Sequence, residues 1–329
     1  MERCLKNRSG IALILSILII ALIVAVTLQF NTSMWSELHA AANLGDGVKL
    51  SSIARSGFNY ALAVLLEDAA SEKKFDAQYE AWANSMAFSA YSTSLFEEGR
   101  FEVQIIDHSG RIQVNQLVNE KGEFNTKQKE LMTRFLGSEE FGLDEEEVRI
   151  VIDSIKDWID PDNEVMDLGA ESAFYQALEE PYSSRNAPLE SLEELLLIRG
   201  ISRELFYGTR EKPGISEYLA VHGNEGGGEI NINTTDPLIL KSLSDGIDDD
   251  RVQDMVNYRM DEGNDLMDAK WYQKVPGMSD VSIDSDLITT SSIYFEIRSK
   301  GFKDAMSKQV KGMVERKEGA LKILSWSVE

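Results

Sequence analysis

The sequence predicts an α+β protein: a long N-terminal helix and a small antiparallel sheet, interrupted by a large all-α insert. Three observations predict it. An uncharged apolar run opens the chain and continues into helical spacing; strand-like patterns are confined to about 101–114 and 292–326; and the stretch between them carries helix periodicity and helix caps.

From Ile11 to Leu28 the chain reads IALILSILIIALIVAVTL, which at about 1.5 Å per residue is just long enough to cross the apolar core of a bilayer. Arg3, Lys6 and Arg8 precede this run, and the next charge is Glu37, so the positive-inside bias places the N-terminus in the cytoplasm and the rest outside. A cleaved secretory signal would end in small residues, whereas here the run passes into Gln29, Phe30, Asn31, Met34 and Trp35 with no Ala-x-Ala site. A plain signal anchor is the alternative. Trp35, Leu38, Ala41 and Ala42, then Val48, Ile53, Phe58, Leu62, Leu65 and Leu66, continue at helical steps, with a weak spot or bend expected at Gly45-Asp46-Gly47 because interior glycines cost about 1 kcal/mol each relative to alanine.

Residues 101–107 read as a strand, His108-Ser109-Gly110 as a turn, and 111–114 as the partner strand. Strand patterns return at 292–300, 308–316 and 320–326, while about 125–286 reads as helical. A sheet flanking a helical block indicates an insertion into one domain. Within the block, 189–202 and 230–278 look like variants of a helix-hairpin-helix or SAM-like unit, and Asp236-Pro237 is a strong helix start.

The 329 residues carry 33 Lys+Arg against 56 Asp+Glu, a formal charge of −23. Such a surface repels phosphate backbones and favours cations or basic partners. Helix-hairpin-helix units can bind nucleic acid, but Gly200 and Gly277 are followed by Ile201-Ser202 and Met278-Ser279, and Glu190, Glu193, Glu194, Asp248, Asp249 and Asp250 surround them. No nucleophile motif, phosphate loop or metal-binding histidine pair supports an enzyme. Asp157, Asp160, Asp162 and Glu164, with Asp167 and Glu171 close behind, offer oxygens and turn residues to a hard cation such as Ca²⁺; a solvated acidic helix end is the competing reading. Asp245, Asp248, Asp249, Asp250 and Asp254 are explained by capping and solvation. His39, His108 and His222 are far apart in sequence, and the single cysteine is Cys4, so zinc has little support.

The junction Arg8-Ser9-Gly10-Ile11-Ala12-Leu13 resembles the leader of type IV prepilins and pseudopilins. Together with Asp157-Trp158-Ile159-Asp160-Pro161-Asp162, Pro181-Tyr182, Arg185-Asn186-Ala187-Pro188-Leu189, the run 192–200 and Ile230-Asn231-Ile232-Asn233-Thr234, it makes the chain similar to the minor pseudopilin K family of type II secretion, also called general secretion pathway protein K. The resemblance implies cleavage after Gly10 by a prepilin peptidase and methylation of the new N-terminus at Ile11. It implies a leader at 1–10, a transmembrane half-helix at 11–28, a pilin-like domain at 29–124 closed by 287–329, and the insert at 125–286. The Glu usual at the fifth mature position is absent; Leu15 stands there. Because a charge in lipid is tolerated only when paired, Leu15 suits a subunit with no neighbour above it. The resemblance further implies a place at the tip of the periplasmic pseudopilus with minor pseudopilins I and J, contacts to other pseudopilins and to the inner-membrane assembly platform, bound calcium, and no catalysis or nucleic acid.

Overall fold

One helix, α1 (Arg8–Ala69), runs unbroken from the apolar segment into the folded body. The computed structural model describes residues 8–71, 73–119, 121–222, 228–317 and 319–329; residues 1–7 of the expected leader, including Cys4, lie outside the described residues. The most apolar window of α1 has 0% of its residues buried, as suits a helix solvated by lipid. Farther on, Leu50, Ile53, Ala54, Phe58, Ala61 and Leu65 are buried at steps of three and four, one apolar stripe facing a core. The bend expected at Gly45-Asp46-Gly47 does not form. Asp46 is bonded to Lys303 Nζ at 2.6 Å, which ties this turn of the helix to the sheet and overrides the low helix propensity of its neighbours.

In chain order the other elements are α2 (Ser85–Ser92), β1 (Arg100–Asp107), β2 (Ile112–Gln113), α3 (Thr126–Leu136), α4 (Glu145–Ile159), α5 (Ser172–Tyr175), α6 (Arg203–Tyr207), β3 (Leu219–Ala220) and β4 (Ile230–Asn231). They are followed by α7 (Pro237–Ser242), α8 (Asp249–Met260), β5 (Ile288–Thr289), β6 (Tyr294–Lys303), β7 (Met306–Lys317) and β8 (Ala320–Val328). The main sheet has the order β1-β6-β7-β8 and is antiparallel throughout. The stripe of α1 packs on Phe101, Val103, Ile105, Phe295, Ile297, Val310 and Val314 of this sheet. Backbones approach closely here: a Cβ on Gly57 would lie 2.8 Å from the Phe101 ring, and one on Gly301 would lie 2.7 Å from the Leu50 carbonyl. Glycine lets the helix lie on the strands without a gap.

The expected pairing of 111–114 with β1 is not formed. β1 pairs with β6, and β2 pairs instead, in parallel, with β3. Ile112 and Val114 are fully buried in the core of the helical block, so burial there, rather than a hairpin through 108–110, decides where this segment goes.

The block consists of two units that share a common order of elements, to which the first adds α5 and α6. In the first, β2 leads through Asn115, α3, α4, a 3-10 helix at Leu192–Leu197 and Gly200 (φ 88°) to β3, parallel to β2. In the second, β4 leads through Asn233, α7, α8, a 3-10 helix at Ala269–Lys274 and Gly277 (φ 77°) to β5, parallel to β4. The two asparagines do the same work. Asn115 Nδ2 donates to the carbonyls of Leu189 and Val221, both at 3.0 Å; Asn233 Nδ2 donates to those of Leu266 at 3.3 Å and Thr290 at 3.4 Å. In each unit one acceptor precedes the 3-10 helix and the other follows the closing strand.

Block and sheet meet at a polar knot. Asp76 N–H donates to the Thr290 carbonyl at 2.8 Å, and its carboxylate accepts from Ser292 N–H at 2.7 Å and from the Arg316 guanidinium. Asp107 accepts from Ser109 N–H at 2.7 Å and from the hydroxyls of Thr234 and Ser292. Asn231 N–H donates to the Ser109 carbonyl at 2.9 Å.

Two stability predictions follow from these buried groups. Replacing Arg316 with Met should cost about 3–5 kcal/mol, since it strands the Asp76 carboxylate without its counter-charge; an unchanged denaturant midpoint would refute the role given to this contact. Asn115→Ala and Asn233→Ala should each cost about 1–3 kcal/mol by orphaning buried carbonyls, and hydrogen exchange should locate each loss in its own unit.

Candidate functional site

The acidic segment is organised by α4. Asp144 accepts from Glu147 N–H at 2.8 Å while Glu147 accepts from Asp144 N–H at 2.9 Å, a capping box that, with Glu145 and Glu146, suits the positive end of the helix. Val148, Val151, Ile152, Ile155 and Ile159 bury one face. Asp160 is extended (ψ 158°) and ends the helix, as a residue before proline is disposed to do.

The chain after Pro161 folds back onto the last turns of α4. Asp153 Oδ2 accepts from Leu168 N–H at 3.3 Å and Asp157 Oδ2 from Met166 N–H at 3.1 Å. A Cβ on Gly169 would collide with Asp157 Oδ2. Glu171 Oε2 accepts from Ser172 N–H at 3.1 Å and from the Ser184 hydroxyl at 2.8 Å. Asn186, in the left-handed region at φ 50°, donates its N–H to the Trp158 carbonyl at 3.0 Å and its side-chain amide to the Asp162 carbonyl and, at 3.2 Å, to Asn163 Oδ1. Ser184 and Asn186 were not among the residues expected at the site; their contribution comes from a loop remote in sequence.

The result gathers carboxylate oxygens of Asp160, Asp162 and Glu171 within 4.8 Å of one another. Asp160 Oδ2 receives the Lys156 ammonium, whereas Asp160 Oδ1 and Glu171 Oε1 are buried and accept no hydrogen bond among the described residues. Of the six residues expected as ligands, Asp157 is buried beside the group but spends its carboxylate on the Met166 amide, and Glu164 and Asp167 are exposed outside it.

Electrostatics mark the same place. Burial pushes the Asp157 carboxyl up to about 7, against the pull of the Met166 N–H. Burial raises Asp160 and Glu171 too, and neighbouring carboxylates add to both shifts. Bringing like charges together out of water favours the protonated form unless a cation arrives. The donors fit a hard cation: all are oxygens, two orphaned lone-pair sites face no donor, and no thiolate or imidazole takes part. Ca²⁺ held by Asp160, Asp162 and Glu171 would supply the missing positive charge and fix the loop to α4.

The other acidic groups differ. Asp68, Asp76 and Glu80 also converge, but Arg316 pairs with Asp68 and Asp76, and Lys73 approaches Glu80 at 3.4 Å. In the 245–254 cluster, Asp248 caps α8 through Arg251 N–H at 2.9 Å and Asp249 bonds Lys241 at 2.6 Å. His39 stays on exposed α1, while the fold brings His108 and His222 together with ring centroids 5.9 Å apart. Among the described residues no histidine joins a group of three metal ligands.

The raised Asp157 sets a pH dependence. Its folded value, about 7, exceeds the unfolded 3.8, so the metal-free folded state binds more protons in between, and this contribution to stability is full below 3.8 and lost as pH rises through 7. Without metal, urea midpoints should therefore fall across this window, and Asp157→Asn should flatten the profile; a flat wild-type profile would exclude the burial-driven shift.

Family models described as Type II secretion system (T2SS), protein K match residues 110–210 and 230–291, which fall on the first and second units of the block. The type II secretion system protein K of Aeromonas hydrophila is 24% identical over 313 residues, covering 89% of this chain and 88% of its own. A chain of the GspK-GspI-GspJ complex from the enterotoxigenic Escherichia coli type 2 secretion system superposes with TM-score 0.70 at 16% identity, over 88% of this chain and 99% of that one. With the leader-like junction and the doubled helical block, the family models and the Aeromonas relative show that the chain belongs to the type II secretion system protein K family, the minor pseudopilins of that system.

Proposed function

We propose that this minor pseudopilin sits at the tip of the pseudopilus, where it nucleates assembly and supports export of proteins across the outer membrane. The observation that carries the reading is Leu15, 56% exposed on the apolar part of α1, where a shaft subunit would need a carboxylate for the amine of its neighbour. The block adds a second argument: its bulk beside the sheet is hard to bury between stacked subunits. Minor pseudopilins I and J are its proposed partners, because the similar chain from Escherichia coli is solved in complex with GspI and GspJ. Other pseudopilins and the inner-membrane assembly platform complete the set. On this reading α1 is a single-pass inner-membrane anchor with the body periplasmic. The two hairpin-like segments serve packing, as the burial of Ile201 and Met278 after their glycines supports.

A prepilin peptidase cuts after Gly10, and Ile11 is then methylated. Changing Gly10 to Val should leave an uncut precursor and stop secretion; normal processing of that variant would overturn the leader assignment. Calcium is held by Asp160, Asp162 and Glu171, with Asp157 behind them. Calcium at a hundred times its dissociation constant should stabilise the chain by about 2.7 kcal/mol, raising its melting temperature. The double change Asp160→Asn with Glu171→Gln should remove that gain, whereas Asp245→Asn should keep it.

A further inference from the structure

Between the first helical unit and the face of the sheet turned away from α1 lies a cleft of about 470 Å³. A second space of about 550 Å³ extends it past Tyr294 and Leu324. Several of the charges bordering it are paired within the protein. Glu296 accepts from His108 Nε2 at 2.9 Å, pairs with Arg298 and lies 3.4 Å from Lys311. On the block side Glu190 pairs with Arg185, and Glu193 accepts from the Ser191 hydroxyl at 2.7 Å. Glu329, the last residue, also borders the cleft.

Arg111 is not among them. Its backbone is fixed, its N–H donating to the His108 carbonyl at 3.3 Å. Its half-buried guanidinium makes no hydrogen bond or ion pair among the described residues. Burial pushes it below its ordinary value, and the carboxylates that act on it through space are Glu296 and Asp107, both bonded to other donors, and the exposed Glu217. A partly desolvated guanidinium without a hydrogen-bonded acceptor is left unsatisfied, and its planar fork is built for a carboxylate or another oxyanion. His222 borders the same cleft, half-buried, 5.9 Å from the His108 ring.

We propose that this cleft binds a glutamate or aspartate side chain on an extended segment of a partner protein, with Arg111 as the bidentate donor and His222 as a second donor. The walls favour a peptide over a free anion. Tyr207 lines the cleft at 53% exposure, a surface a small oxyanion would leave uncovered. β8, which also lines it, is the last strand of the sheet and has an unpaired edge, open to main-chain pairing.

The test uses the full chain in detergent at low salt. The probe is a labelled hexapeptide, capped at both ends, with one glutamate among valines; its glutamine analogue and inorganic phosphate are the controls. The glutamate peptide should bind at least tenfold more tightly than the analogue. Arg111→Gln should erase that preference while melting no lower than wild type without peptide, and Arg111→Lys should keep part of it. Equal binding of the two peptides, binding of neither, or a preference that survives Arg111→Gln would overturn the proposal. Competition by phosphate at concentrations as low as the glutamate peptide's own would assign the cleft to free oxyanions instead. A lower melting temperature for Arg111→Gln without peptide would make Arg111 a structural residue, which also overturns it.

Discussion

The protein depends on the buried polar knot where the chain leaves the sheet after β1 and returns before β6. Strands that lie side by side bring together residues as distant in sequence as His108 and Glu296, 188 positions apart. Asp76 and Asp107 close that excursion: each accepts several hydrogen bonds, so neither buried carboxylate is left unsatisfied, and each joins segments from different parts of the chain. The directionality of those bonds holds two hydrophobic cores, one between α1 and the sheet and one inside the block, in a fixed relation. Burial alone supplies no such direction.

That arrangement separates two chemistries. Of the 56 acidic residues 37 lie between 125 and 286, together with 15 of the 33 basic ones; the remainder of the chain holds 19 and 18 and is nearly neutral. The N-terminal helix and sheet are thus free of strong self-repulsion, while the block carries nearly all of the protein's net negative charge. Carboxylates crowded there are relieved by caps and lysines at the surface. Relief is incomplete where Asp160 and Glu171 are buried, which is where a divalent cation has most to offer.

The acidic site was legible only in outline. Asp160 before Pro161, at the end of an amphipathic helix, announced that a carboxylate would sit at a turn, and the density of acids suggested a cation. Which carboxylates meet was not legible, because it depends on the loop folding back through the amides of Met166 and Leu168 and on Ser184 and Asn186 arriving from elsewhere. The strands 101–107, 292–300, 308–316 and 320–326 were readable from alternation and fall within β1 and β6–β8, with an offset at the start of β6. Ile112 to Val114 had the same local signal, and its partner was misassigned, since alternation gives a strand no information about what it pairs with.

The sequence by itself determined the apolar N-terminal helix, the main strands and the family. Lipid solvation, capping and β-alternation act over a few neighbouring residues, so they are written locally and survive any tertiary arrangement. Tertiary structure alone decided that α1 runs straight through Gly45-Asp46-Gly47, that two units of the block repeat the bonding of Asn115 and Asn233, and that Asp160, Asp162 and Glu171 converge while Arg111 stands unpaired among the described residues. Each of these rests on contacts between residues far apart in the chain, whose distances are set by how the cores pack and not by any pattern along the sequence.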